Sequence, residues 1–396
     1  MIHQLDRRRF LRNGVSAMVG YWVAPRLIDA APSSPSEKLN VACVGIGGRG
    51  NSNVDAMMKE TIIGLCDVDM VRGKDKLQQL PNVPRFADWR KMLDKLHKQL
   101  DAVVISTPDH MHAPITLAAM QLGKHVYCEK PLAHTVGECR RIAQALVKHK
   151  VVTQTGNCGN ASPSARRAVE LLRAGAIGDV TDIHCWTDRP TWIWKQALDR
   201  PTDTPPVPPT LDWDLWLGIA PERPYHPAYL PGKWRGWYDF GTGPMGDMGA
   251  HICNIAFWAF DLRDPLWVEA ETSERYEETF PEWCRVTWQF PAHLGRPAPQ
   301  LHWYDGGQKP PSDLFEGKKV SDNGSLLIGT EGKFYIPSPD GDNAILLPES
   351  RFEGFRRPPK ILPDSPGHHE EWVAACKEGN PHTEYMSHFG RSALLT

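Results

Sequence analysis

Leu39-Asn40-Val41-Ala42-Cys43-Val44-Gly45-Ile46-Gly47-Gly48-Arg49-Gly50 decides the fold. Its first half is a short apolar run, the pattern of a parallel strand buried on both faces. Its second half fits G-x-G-x-x-G, and the residues from Asn51 to Lys59 continue as a helix. Gly45 permits the tight turn, Gly47 lets the backbone approach a pyrophosphate, and Gly50 allows close helix–strand packing. With Gly48 and Arg49 between them, these residues set a diphosphate at a helix N-terminus, where free N–H groups favour negative charge. A glycine-rich match alone is weak. A second apolar run, Thr61 to Cys66, adds weight by ending at Asp67, twenty residues after Gly47, where the acid for an adenosine ribose belongs. An acid there repels a 2′-phosphate and favours NAD, while Arg49 and Arg72 keep NADP open.

The alternation of strand and helix continues. Residues 87–98 read as a helix, and Asp101–Ser106 as a strand that ends in Thr107-Pro108-Asp109-His110-Met111-His112. A helix over 113–122 leads to the strand Lys124–Cys128, which ends in Glu129-Lys130-Pro131. Open parallel sheets bind ligands outside the carboxyl ends of their strands, and both polar clusters fall there. Lys130 alone would read as a surface lysine; a strand end with Pro131 behind it makes it a site candidate. From Cys158 the alternation breaks down. After a helix over 164–174 and a strand over 178–188, six runs between Leu266 and Leu347 follow without intervening helices, as in an antiparallel sheet. The fold class is therefore α/β: a doubly wound parallel sheet over 38–157, then an α+β domain over 158–396 with a large, mostly antiparallel open sheet.

Asp247 and His251 are four residues apart, so on a helix they share a face, with Gly249 leaving room for close approach. Imidazole titrates in the range a dehydrogenase needs for the hydroxyl proton, and Asp247 would orient it. No Cys/His ladder has metal spacing, so no metal is expected. His368-His369-Glu370 reads as a solvated helix start.

The net charge of −2 sets up no field for nucleic acid or anionic membrane. Fifteen Trp and 35 Pro are high counts, crowded between residues 186 and 237, and suit either core or the flat faces that sugar rings need. Nine Cys without a zinc or disulfide pattern read as free, mostly buried thiols. At the N-terminus, Asp6-Arg7-Arg8-Arg9-Phe10-Leu11-Arg12 precedes an apolar stretch, Gly14 to Ala24. That is the twin-arginine export pattern, with a signal over 1–30 and a Pro/Ser linker over 31–37. The apolar stretch makes a helix of only ~18 Å, too short for ~30 Å of hydrocarbon. The expected location is periplasmic, reached by a folded protein that carries its cofactor along.

The glycine-rich loop, the Thr107–His112 cluster, Glu129-Lys130-Pro131 and the run Gly241 to His251 together resemble the Gfo/Idh/MocA family of glucose–fructose oxidoreductase and inositol dehydrogenase. The resemblance covers nearly all of 38–396 and is strongest to twin-arginine-exported members. It implies that Lys130 contacts nicotinamide and substrate, that its bond to Pro131 is cis, and that Thr107, Pro108, His112 and Glu129 line the cofactor. It sets Asn157, Trp192, Trp194, Tyr225, His226, Trp234 and Arg235 on segments that border the substrate. It also implies a homo-oligomer built through the open sheet. Family members usually continue beyond the helix that begins near Gly390, so a C-terminal truncation is expected. The expected activity is hydride transfer between NAD(P) and a hydroxyl or keto carbon of a sugar, glycoside or polyol, with the cofactor retained. The alternatives are a redox-neutral NAD-dependent glycosidase working through a transient keto-sugar, and a cofactor-bearing sugar sensor.

Overall fold

The computed structural model describes residues 37–191, 193–293, 295–380 and 385–396. The export signal and nearly all of the linker expected before Glu37 lie outside the described residues, as does Trp192.

Strands β1 (Asn40–Val44), β2 (Thr61–Cys66), β3 (Arg85–Phe86), β4 (Ala102–Ile105), β5 (His125–Cys128) and β6 (Thr153–Thr155) pair in parallel in the order β3-β2-β1-β4-β5-β6. Along β1, Val41 and Cys43 enter one core and Ala42 and Val44 another. Strict alternation between two apolar layers explains why Val41 to Val44 carry no polar side chain, while Asn40 stands at the less buried start of the strand. Helices α1 (Arg49–Ala56), α2 (Lys74–Gln79), α3 (Trp89–Leu96), α4 (His112–Gln121) and α5 (Val136–His149) make the crossovers. Their starts are chemically marked. Asp88 accepts from the Arg90 N–H ahead of α3, and Thr135 and Glu138 close a reciprocal capping box ahead of α5. Strand order reverses between β1 and β4, which opens a crevice at their carboxyl ends.

Helix α6 (Pro163–Arg173), capped by Ser162, leads into the second sheet. Its strands are β7 (Val180–Trp186), β8 (Trp267–Thr272), β9 (Cys284–Gln289), β10 (Gln300–Tyr304), β11 (Gly324–Gly329), β12 (Gly332–Ile336) and β13 (Ile345–Leu347). They run in the order β13-β12-β11-β7-β10-β9-β8, antiparallel except for β7 beside β10. Ile183 and Cys185 of β7 face α6 and the apolar helix Asn254–Phe260.

Between β7 and that helix, the Trp-rich segment folds into a small core of its own. Leu211, Trp216, Leu217, Tyr229, Trp237 and Phe240 are its buried members, around the short helix α7 (Trp213–Leu217). Trp213 stacks on Trp216 at 4.8 Å, and the buried Arg223 lies over the Tyr229 and Phe240 rings. Most of the tryptophan surplus is core.

Two expectations are corrected at the C-terminus. Assigning all of 158–396 to the second domain overlooked helices α8 (His368–Glu378) and α9 (Phe389–Leu395), which return to the first sheet. Trp372, Ala375 and Cys376 pack with Val41, Cys43 and Tyr127, while Phe389 packs with Ile142 and Leu146. The start of α8 is not solvated either. His368 is buried against the Thr155 carbonyl, and His369 stacks on Tyr127 at 4.8 Å and meets Asn53 Oδ1 at 3.0 Å. Among the described residues all nine cysteines are free, seven of them buried, and no helix is long and apolar enough to cross a membrane.

Candidate active site

The crevice at the β1/β4 ends opens into a cleft of about 700 Å³. Its floor is the glycine-rich loop. Gly45 turns at φ 77°, and a Cβ there would sit 2.6 Å from the Ser106 carbonyl oxygen. A Cβ on Gly50 would fall 1.9 Å from the Gly45 oxygen, so that glycine brings α1 against the turn, as the spacing predicts. Gly47 lines the cleft, and its missing side chain meets a further need. A Cβ there would strike the Arg72 backbone at 2.8 Å, so its bareness admits the loop after β2. Gly48, at φ 55°, lines the cleft beside Arg49.

Asp67 lies in the cleft wall, its carboxylate accepting from the Ile46 and Asp69 N–H groups at 2.8 and 2.9 Å. Those bonds tie the second strand to the glycine-rich loop and fix where a ribose would lie. Burial raises its pKa, opposed by these N–H donors. Arg72 lines the same wall, whereas Arg49 is spent on Glu129 at 3.0 Å and Cys158 at 2.9 Å. Thr107 Oγ1 is buried in this wall without a protein partner among the described residues. A cradle with bare glycine backbone, a helix start and an unmatched hydroxyl fits a dinucleotide.

Not every expected cofactor residue reaches the cleft. Pro108, Glu129 and Lys130 line it. His112 does not: its Nδ1 lies 2.6 Å from the Pro131 carbonyl and its Nε2 2.9 Å from that of Thr107. A ring between two acceptors must donate twice. Burial opposes its charge, but Cys128, Asp109 and the Pro131 carbonyl overcome this and raise its pKa to about 10. His112 therefore braces the two cleft loops as an imidazolium instead of touching the ligand.

Lys130 enters from β5, and its bond to Pro131 is cis. Its Nζ donates to the Asp247 carbonyl at 2.6 Å and carboxylate at 2.8 Å. Asp247 sits on a π-helical turn, Met245–Gly249, that runs into the helical turn carrying His251. Arg235 Nε donates to the same carboxylate at 2.9 Å, and Arg189 stands 4.0 Å off. Burial works against ionisation, but Lys130 and Arg235 hold this carboxyl well below the usual range.

The expectation that Asp247 orients His251 is therefore corrected, because cations claim the carboxylate. Asn157 takes that part. Its Nδ2 donates to the Ala250 carbonyl, so its Oδ1 is left to accept from His251 Nδ1 at 3.2 Å. This fixes the Nδ1–H tautomer and leaves the Nε2 lone pair available. Burial, then Lys130, lowers the His251 pKa to about 3, so the ring is neutral. Asn157 itself is buried behind the ring, not exposed to substrate.

The remaining substrate candidates divide. Tyr225, Trp234 and Arg235 line the cleft, with Arg235 stacked on Trp234 at 4.2 Å. Trp194 is buried core whose indole N–H donates to Gln196. His226 turns toward Asp203 and the Ala228 N–H, off the cleft wall. Sequence reasoning missed Arg189, although its place just beyond a strand end, before Pro190, was a usable signal. Pro208, in the Pro-rich loop 201–209 that the sequence leaves as either a lid or a surface crossover, lines the cleft with Leu211, and the Asp212 N–H donates to the Val68 carbonyl at 2.9 Å.

Residues 39–157 match the model of an oxidoreductase family's NAD-binding Rossmann fold, and residues 176–294 match that family's C-terminal α/β domain. A levoglucosan dehydrogenase of Pseudarthrobacter phenanthrenivorans is 28% identical over 170 residues, covering 43% of this chain and 35% of that protein. A glycosyl hydrolase family 109 protein of Shewanella baltica is 25% identical over 211 residues, covering 45% of each. These matches span less than half the length of either relative. A solved levoglucosan dehydrogenase in complex with NADH and L-sorbose superposes with a TM-score of 0.58 at 16% identity, covering 91% of this chain and 94% of that one. At that identity the likeness concerns the fold.

Proposed function

The chain belongs to the Gfo/Idh/MocA oxidoreductase family, and on that premise we propose that it is a nicotinamide-dependent dehydrogenase or reductase of a sugar, glycoside or polyol. One observation carries the reading: Lys130 from the first domain and His251 from the second face the same cleft as the glycine-rich loop. A nicotinamide bound there supplies the acceptor for the hydride that leaves the carbinol carbon. In that direction the carbinol O–H proton passes to His251 Nε2, which Asn157 keeps unprotonated and aimed. Lys130, held by Asp247, donates to the same oxygen and steadies the negative charge that grows on it. For reduction the proton and electron flow reverse.

Asp67 at the ribose position and the dehydrogenase solved with NADH favour NAD over NADP. Export by the twin-arginine route, from Arg7 and Arg8, would carry the folded holoprotein to the periplasm with its cofactor retained. The exposed Leu266, Trp267 and Val268 at the edge of the second sheet supply an apolar patch for self-association, which light scattering reads as particle mass.

The test is to denature purified protein, identify the released nucleotide, and follow reduced-nicotinamide absorbance across a sugar panel. Lys130→Ala should abolish turnover while nucleotide stays bound; unchanged turnover removes Lys130 from the mechanism. The similarity to family 109 glycosyl hydrolases favours one second reading, a redox-neutral glycosidase. A released aglycone with no net redox change would establish it.

A further inference from the structure

Next to His251 three cations share the carboxylate of Asp247, and the buried Asp109 is the further acid that acts on Lys130 and Arg235. Lys130, Arg189 and Arg235 surround that Asp247 carboxylate. Their side chains are 15, 23 and 25% exposed, so none is a freely solvated surface cation. Lys130 and the Nε edge of Arg235 use up the nearer carboxylate oxygen. Arg235 has one further hydrogen bond among the described residues, a long 3.4 Å bond from Nη1 to the Gly232 carbonyl. The Arg189 guanidinium has no hydrogen bond among the described residues, only the 4.0 Å approach to Asp247.

The two guanidinium groups are also held in place. Their Cζ atoms lie 5.8 and 5.9 Å from the ring centroid of the buried Trp194, and Trp234 packs on Arg235 at 4.2 Å. Aromatic stacking fixes the planes of the forks and leaves N–H edges for an acceptor. His251 is neutral and adds no charge, and Arg189 is near enough to act on its protonation. Half-buried cations in excess of their counter-ions are costly, and an oxyanion in the cleft relieves that cost. A neutral polyol would leave it standing.

We propose that the substrate is an anionic sugar whose carboxylate or phosphate docks between Arg189 and Arg235 while a ring hydroxyl faces Lys130 and His251. The proposal rests on the dehydrogenase reading above and narrows its substrate class. The anion supplies binding energy away from the reacting carbon, and the forks set which hydroxyl meets His251.

The experiment uses holoenzyme and matched ligands: glucuronate, its methyl ester, gluconate, glucose 6-phosphate and glucose. Turnover is read from nicotinamide absorbance, and equilibrium binding from tryptophan fluorescence. The anionic sugars should exceed glucose and the methyl ester by roughly 10- to 100-fold in kcat/KM and in affinity, with the margin shrinking as salt rises. Carboxylates and the phosphate are separate arms, and the preferred one names the oxyanion. In Arg189→Met, checked for retained nucleotide and an unshifted melting point, glucuronate should lose that margin over its methyl ester. Equal use of neutral and anionic sugars overturns the proposal and leaves the dehydrogenase reading intact. So does a margin that survives in Arg189→Met. If no sugar changes the nicotinamide absorbance, the redox reading fails, and the binding measurement alone still decides whether the cleft selects anions.

Discussion

At the scale of single residues, the site works by dividing labour between two similar-looking partners. Asp247 serves the cations, and Asn157 serves the imidazole. An amide next to His251 fixes its tautomer without adding charge, so the ring stays neutral with its pKa lowered to about 3 by burial and Lys130. Asn157→Leu should reduce kcat by roughly 100-fold, with a smaller change in KM, because the ring loses its tautomer and aim. Asn157→Asp should recover part of the rate and change its pH dependence. A carboxylate there favours the imidazolium and raises the pKa of the ring, so the acid limb of the rate profile moves to higher pH. A profile that does not move would mean that Asn157 is not coupled to the base. Lys130 and His251 were legible in the sequence because one ends a strand and the other sits on a helical spacing. The part played by Asn157 was not, since the cations that draw Asp247 away come from positions 130, 189 and 235, which only the folded chain brings together.

At the scale of elements, strands and helices followed from local pattern, while what covers the cleft did not. The run Thr61 to Cys66 is a strand over the span its composition predicts, and the runs from Leu266 to Leu347 became strands of one sheet. Their side chains record burial by period, which a sequence displays directly. The segment after β7 has no period, and its tryptophans suit core and sugar alike. Its position over the cleft depends on the Asp212–Val68 bond and the packing of Leu211, contacts made with the other domain. Leu211 is 7% exposed and lines the cleft beside Val68. Leu211→Ala should cost about 2–4 kcal/mol of stability and speed nucleotide release at least tenfold in a chase experiment. Retention at the wild-type rate would show that this segment does not hold the cofactor.

At the scale of the whole molecule, the two sheets are tied by a chain that leaves the first domain after β6 and returns in α8 and α9. Trp372 and Phe389 complete cores whose other members lie mostly between Leu39 and Val152, so the first sheet cannot finish packing until the last residues arrive. His368 stands at that junction. Its Nε2 donates to the Thr155 carbonyl at 3.1 Å, and the Gln154 amide donates to its own carbonyl. Burial, then neighbouring His369, lowers its pKa to about 3. Between pH 6.5 and 3 the unfolded chain therefore binds a proton at this ring that the native chain does not. Stability from this group is fully present above pH 6.5 and falls on acidification, by about 1.4 kcal/mol per pH unit. Glutamine keeps a donor for the Thr155 oxygen and removes the titration. In His368→Gln, denaturant unfolding at pH 6, 5 and 4 should show a slope of stability against pH shallower by about that amount, with little change at pH 8. The same slope in both proteins would mean that the ring is accessible to protons in the native state, and that α8 is not docked on the first sheet as tightly as its buried tryptophan requires.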